Sequence, residues 1–268
     1  MATQGTQRKT SRADIAVAEE REGVAGMTIA ELFMQYLEHL FAGKRCEARE
    51  LLMGAQDRGI PASRLLQMVI WPAMEQVEKL YRANQISRIV EHMATRINRM
   101  LADQLQTLLA RRPKTGRRMV VTCGDGEIEE LGAQITADLF EADGWSIWFL
   151  GSGVPNDEIL QYVGKIKPDI LCIYGTQPVG VPNVRKLISL VREVGSVPDM
   201  QILVTGGVFN RAEGLAEEIK ADLFAPKVAD AMRAVEEHPV RVAKPDMPEP
   251  GRRRKRKVAA NMPAMRVA

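Results

Sequence analysis

The stretch GDGEIEELG, residues 124–132, holds the densest chemistry in the chain. Gly124 and Gly126 free the backbone, and Asp125, Glu127, Glu129 and Glu130 crowd carboxylates where a helix is about to begin. Two readings stand side by side. Acids at a helix N-terminus complement the macrodipole, and acids on a loop can equally contact a ligand. A phosphate cradle is excluded, because no Lys-Ser/Thr pair accompanies the glycines and the acids would repel a dinucleotide. A second loop, TGGVFN (205–210), sets Gly206 beside Gly207. Without Cβ atoms this backbone can approach a flat ligand closely, although a tight turn calls for the same pair. A third loop, YGTQPVGVPN (174–183), is rich in Gly and Pro and suits a shaped binding wall.

Other reactive side chains are sparse. His39 and His92 lie in the body and His238 at the edge of the tail. His92 follows Glu91, with Tyr81 ten positions before that glutamate. It reads either as a hydrogen-bonded histidine among helices or as one facing a ligand. His39 falls on the polar, solvated side of its helix. Cys46, Cys123 and Cys172 share no CxxC spacing, which indicates neither a disulfide framework nor a zinc site. Cys123 and Cys172 end apolar strands and are expected to pack. No Ser/His/Asp or Cys/His set occurs at hydrolase spacing. Met53, Met68, Met74, Met93 and Met100 read as core filler, and Trp71, Trp145 and Trp148 as packing residues.

The elements that must position these residues fall into two patterns. Residues 27–110 read as helical. Ile29, Leu32, Phe33, Tyr36, Leu37, Leu40 and Phe41 share one face at 3.6-residue spacing, with Thr28 and Glu31 as a capping box and Gly43 at the end. A second helix stops near Gly59. A third starts near Pro61 and should kink or break at Pro72. A fourth runs from about Ser87 past Leu108. Their apolar stripes make a four-helix bundle. RRPKTGRR (111–118) is a basic linker. Beyond it, apolar runs at 119–123, 145–150, 169–174, 201–206 and 222–225 alternate with helices at about 129–142, 157–165, 182–194, 212–219 and 228–237. Continuously apolar strands between helices predict an α/β domain over 117–238, with a five-stranded parallel sheet covered on both faces. Ligands of such sheets sit at the carboxyl ends of the strands near the topological switch point. That places function on loops 124–130, 151–156, 175–181 and 206–211.

Of 268 residues, 46% are apolar and 26% charged, enough to build real cores. No run of about 18 apolar residues exists to span a membrane. Residues 1–26 read as a polar flexible arm without an apolar signal region, so the cytoplasm is the expected address. The net charge of +3 hides an asymmetry: residues 251–268 carry seven basic groups and no acid. Without them 30 basic residues face 34 acidic ones, leaving −4 on residues 1–250. A polyanion-binding body is therefore not suggested. Residues 239–268 are expected to form a disordered basic tail. Its RRRKRK run (252–257) reads as a solvated segment or as a weak nucleic-acid contact. No helix-turn-helix precedes the bundle.

Bundle and sheet together resemble the cobalamin (vitamin B12) binding family, which includes the methionine synthase module, corrinoid methyl carriers and B12-dependent light-sensing regulators. The resemblance covers roughly residues 29–237. The family motif Asp/Glu-x-His-x-x-Gly appears as Glu127-Ile128-Glu129-Glu130-Leu131-Gly132, with Glu129 where the cobalt-binding His would stand. The Ser-x-Leu/Thr motif reads Tyr174-Gly175-Thr176, with Tyr in place of Ser, and the Gly-Gly motif is intact as Gly206-Gly207. Tyr81 and Glu91-His92 match the aromatic and Glu-His pair that cover the upper corrin face in the light-sensing relatives, with Tyr in the usual Trp place. The resemblance implies a flavodoxin-like (Rossmann-type) sheet and a corrin held between bundle and sheet edge. Tyr81, Glu91 and His92 would lie above the corrin. Glu127, Glu129, Gly132, Tyr174, Thr176, Gly206 and Gly207 would lie below it. In the family the His displaces the cofactor's benzimidazole, which then lies in a channel passing the Ser. A carboxylate is the poorer cobalt ligand, and Tyr174 is large enough to block the channel.

Three outcomes follow, in this order: cobalamin with its own base attached, another flat ligand such as a tetrapyrrole, or a retained fold without cofactor. The main expectation is a non-catalytic cobalamin sensor or regulator, a photoreceptor included, acting through a protein partner, with a homo-oligomer open. The alternatives are a corrinoid methyl carrier serving a separate methyltransferase, and a cofactor-free scaffold using the basic tail.

Overall fold

The computed structural model describes residues 27–242, apart from 125 and 128. The expected arm (1–26) and the RRRKRK run lie outside the described residues.

The helical part begins with α1 (Ile29–Phe41), whose Thr28–Glu31 capping box closes as the sequence predicts. It continues through α2 (Arg45–Asp57), α3 (Ala62–Leu65), α4 (Trp71–Arg82) and α5 (Arg88–Thr107). Pro72 does not break the third helix. A π-helical turn, Leu66–Ile70, joins α3 to α4, and the Trp71 amide reaches five residues back to the Leu66 carbonyl. Widening by one residue just before the missing proline N–H keeps the chain helical.

The α/β part runs β1 (Arg118–Cys123), α6 (Leu131–Ala142), β2 (Ser146–Gly151), α7 (Asn156–Ile166), β3 (Ile170–Tyr174), α8 (Val181–Val194), β4 (Gln201–Thr205), α9 (Gly207–Arg211), α10 (Leu215–Glu218), β5 (Leu223–Ala225) and α11 (Val228–Glu237). All neighbours pair in parallel in the order β2-β1-β3-β4-β5, the flavodoxin-like order with its switch point between β1 and β3.

Strand alternation sorts the core. Met119, Val121, Cys123, Ile170, Cys172, Tyr174 and Leu203 face α6, α11 and the helical bundle in one continuous apolar cluster. Val120, Leu171, Ile173, Ile202 and Val204 face α7 and α8 in a second cluster. The bundle therefore shares a core with one face of the sheet. Cys123 and Cys172 are buried as expected, and burial pushes the Cys172 thiol up to about 12. Met68 and Met93 are instead exposed at 47% and 39%, and His39 is half-buried rather than solvated.

Two boundaries differ from the sequence reading. The 111–118 segment is tied down: Arg112 and Thr115 donate backbone bonds to Ala142 and Gly144, and Arg117 stacks 4.0 Å over the Trp145 ring. A side chain at position 144 would meet the Pro113 carbonyl at 2.2 Å, which explains the glycine there. The chain also stays anchored past His238, through Arg241 to Asp222 at 3.2 Å and Gln201 to the His238 carbonyl at 2.9 Å. Among the described residues no helix is long and apolar enough to cross a membrane.

Candidate functional site

The carboxyl ends of β1 and β3 open at the switch point, where the acidic loop and the Gly/Pro-rich loop meet. Glu127 is buried there and binds them together. Its Oε2 accepts from the Thr176 amide at 2.5 Å and the Gln177 amide at 3.3 Å. Its Oε1 accepts from the Thr176 hydroxyl at 2.7 Å and the Glu129 amide at 3.2 Å. Glu130 does the same toward the 151–156 loop, accepting from the Ser152 amide at 3.0 Å and hydroxyl at 3.2 Å. Both carboxylates thus staple loops, a role that neither sequence reading of the acidic stretch contained.

Glu129 differs. It is half-buried and turned toward α5: burial first, and then the charge of Glu91, raise its pKa against the opposing pull of Arg99 and Arg96. Glu91 is close enough for its charge to act on Glu129 and accepts from the Thr95 hydroxyl at 3.3 Å. His92 is not drawn in. Its side chain is 54% exposed, 3.6 Å from the Glu91 carboxylate and 3.4 Å from Arg88. Tyr81 lies exposed near the end of α4.

Tyr174 does not line an open channel. Its ring lies against Gly132 in the first turn of α6; a Cβ on residue 132 would sit 2.4–2.5 Å from the Tyr174 hydroxyl and ring carbons. The side chain is 3% exposed, and Trp71 of α4 meets it edge-on at 6.5 Å between ring centroids. Gly132 is therefore a seat for a tyrosine ring. Gly206, at φ +107, is needed because a Cβ there would meet the Gly175 backbone at 2.4 Å. Gly207 faces α4 and α9: a Cβ there would lie 2.6 Å from Arg211 and 3.0 Å from Glu78.

The roof over this edge comes from α4 and α5. Arg211 spans the seam, donating to Glu78 at 2.8 Å and to the Thr176 carbonyl at 2.5 Å. Arg99 of α5 reaches Gln134 at 3.3 Å and approaches Glu130 at 3.8 Å. Beside the Glu78–Arg211 pair a cleft of about 490 Å³ opens between α4 and α9, lined by Glu75, Lys79, Arg82, Gly207 and Asn210 among others. Sequence reasoning read Trp71 only as a packing residue and missed Glu78, Arg99 and Arg211. Nothing in their local pattern marks them, because each acts across the seam between distant segments.

A corrinoid with its nucleotide arm threaded into the sheet and an imidazole on cobalt does not fit these residues. The place where the resemblance puts that channel is filled by the buried Tyr174 ring, and the loop offers a carboxyl at position 129. Among the described residues no cluster of three His, Cys, Asp or Glu side chains is arranged to hold a metal ion directly.

Comparison with known proteins gives the same outline. Residues 117–236 match a family model described as a B12 binding domain, and residues 32–106 match a second model of the same description. The chain is 26% identical over 213 residues to the methanol--corrinoid protein of Methanosarcina barkeri, covering 76% of this chain and 80% of that one. It is 19% identical over 179 residues to dimethylamine corrinoid protein 1 of Methanosarcina acetivorans, covering 65% and 82%. The fold is similar to that of the Methanosarcina barkeri monomethylamine corrinoid protein, at a TM-score of 0.70 and 19% identity over 78% of this chain and 98% of that chain.

Proposed function

Because the chain belongs to the B12-binding domain family, we propose that it binds a corrinoid where α4 and α5 meet the carboxyl edge of the sheet. In this reading it is a corrinoid-carrying partner of a separate methyltransferase and has no catalytic constellation of its own. The observation that carries the reading is the double match: bundle and sheet each correspond to a B12-binding model, and the edge between them is the switch point. The curated relatives, named as corrinoid proteins for methanol and dimethylamine, favour the carrier over the sensor or photoreceptor. The sensor reading leans on the spacing of Tyr81, Glu91 and His92, and His92 is exposed.

The cofactor is proposed to keep its own base on cobalt. Cobalt supplies the methyl-carrying chemistry when bound. The chain's contribution is the roof, the rigid loop wall held by Glu127, and a half-buried carboxyl at Glu129.

The test mixes purified protein with hydroxocobalamin and methylcobalamin, removes free corrin by desalting and records the absorption spectrum. A retained, stoichiometric corrin supports the reading. Loss of all colour from a protein still folded by circular dichroism would sink it. Methylation of the bound, reduced cobalt by a methyltransferase then separates carrier from sensor.

A further inference from the structure

We propose that Tyr174 fixes the lower-ligand state of the corrinoid by closing the sheet edge to a nucleotide arm. The site then takes a corrinoid whose base stays on its own cobalt, or one without the arm. This rests on the corrinoid reading above and names the form of ligand within it.

The sequence departs from the family at two lower positions, 129 and 174, and gives no order between them. The geometry does. Glu129 is half-buried on the loop surface that faces α5, where a side chain can be exchanged without moving backbone. Tyr174 is part of a wall. Its ring lies directly on the Gly132 backbone, with no room for even one carbon between them. Trp71 closes the roof side, edge-on. The loops on either side cannot spread easily, because Glu127 ties the acidic loop to Thr176, two residues beyond Tyr174, through the amide and the hydroxyl. The Gly124 amide adds a 2.7 Å bond to the Tyr174 carbonyl itself. Tight interiors resist insertion of even a methylene, and a nucleotide arm is far larger. Placing an imidazole at 129 while Tyr174 remains therefore leaves the cofactor's base nowhere to go.

The experiment loads cob(II)alamin onto uniformly ¹⁵N-labelled protein and reads the nitrogen splitting by electron paramagnetic resonance. The unlabelled cofactor base gives three lines and a labelled protein imidazole gives two. Wild type and Glu129→His are expected to give three lines. The pair Glu129→His with Tyr174→Ser is expected to give two. Glu129→His with Tyr174→Phe, which keeps the ring, is expected to stay at three. Two lines from Glu129→His alone, or three from the pair with Tyr174→Ser, would overturn the proposal.

Should the Tyr174→Ser pair fail to fold, the wild type still decides. Cobinamide, which lacks the arm, should bind within about threefold of cobalamin, a difference under about 0.7 kcal/mol. A loss of tenfold or more overturns the proposal. If wild type retains no corrinoid but the Tyr174→Ser pair does, with two lines, the closed edge stands and the corrinoid reading of the native chain falls. If none of the proteins retains corrinoid, both fall.

Discussion

Glu127→Gln is the sharpest probe of the loop wall. The native carboxylate accepts from two amides at Oε2 and from one hydroxyl and one amide at Oε1. A glutamine keeps the size but turns one acceptor into a donor. Its NH₂ cannot stand at the Oε2 position, where it would face two backbone N–H groups that cannot reverse. It must stand at Oε1. There the Thr176 hydroxyl can rotate to accept, but the Glu129 amide loses its acceptor, and the two bonds at Oε2 drop from charge-assisted to neutral. Hydrogen bonds to charged groups contribute about 1.5–3 kcal/mol and neutral ones about 1. The sum is a loss of about 2–4 kcal/mol. Glu127→Ala also strands the buried Thr176 groups and costs about 4–5 kcal/mol. For a unit of this size each kcal/mol lowers the melting temperature by about 2–4 °C, so Glu127→Gln should melt roughly 5–15 °C lower. Thermal unfolding followed by circular dichroism gives the magnitude, and hydrogen exchange at the Thr176 and Gln177 amides gives the location. Melting within about 2 °C of wild type, with Thr176 protection unchanged, would refute the stapling role.

Three further expectations follow from single features. Asp138 is half-buried in α6, with Oδ2 lacking a partner; burial first, then Glu141 and Asp103, push its pKa up to about 6. A folded-state value above the unfolded ~3.9 gives stability that is full below that pH and lost as pH rises through about 6. Discounted for partial exposure, Asp138 should contribute a loss of about 1–2 kcal/mol between pH 4 and 7 in urea titrations, and Asp138→Asn should flatten the wild-type profile by that amount. Gly132→Ala should destabilise by about 2–3 kcal/mol through overlap with Tyr174, yet be nearly neutral in a Tyr174→Ala background. A double-mutant cycle without that coupling would mean the two residues do not meet. Glu78→Ala removes a partly exposed pair and should cost at most about 1 kcal/mol, whereas Arg211→Ala also frees the Thr176 carbonyl and should cost about 2. Equal effects in denaturant titrations would count against Arg211 as the bridge between roof and edge.

Periodicity carried most of the fold. The capping box, the strand runs and the closing helix Val228–Glu237 fall where spacing puts them, because each depends on neighbours three to four residues away or on strict alternation. The misses were non-local. A basic stretch with one Pro and one Gly looks like a free linker. In the fold the same stretch is held by Gly144 and Trp145, about thirty positions downstream. Helix content around Gly206 was misplaced for a related reason. The chain turns into α9 at once because Gly206 lets it pass the Gly175 backbone, and the helix then resumes as α10 only after Gly214.

The site was legible as a set of positions and illegible as a set of roles. Gly132 alone does not say what lies on it; in the fold it is the Tyr174 ring. The carboxylate of Glu127 fits a ligand contact by its type, but the partners it has in the fold are protein donors. Tyr174, where the resembled motif has Ser, touches more than its own position. Gly132 is the ring's seat, and Trp71 of the roof has an aromatic partner at the sheet edge. A one-letter difference read along the chain counts as one departure. Read in space it changes what the lower edge can accept, which is why the lower-ligand state of a bound corrinoid should follow residue 174 before it follows residue 129.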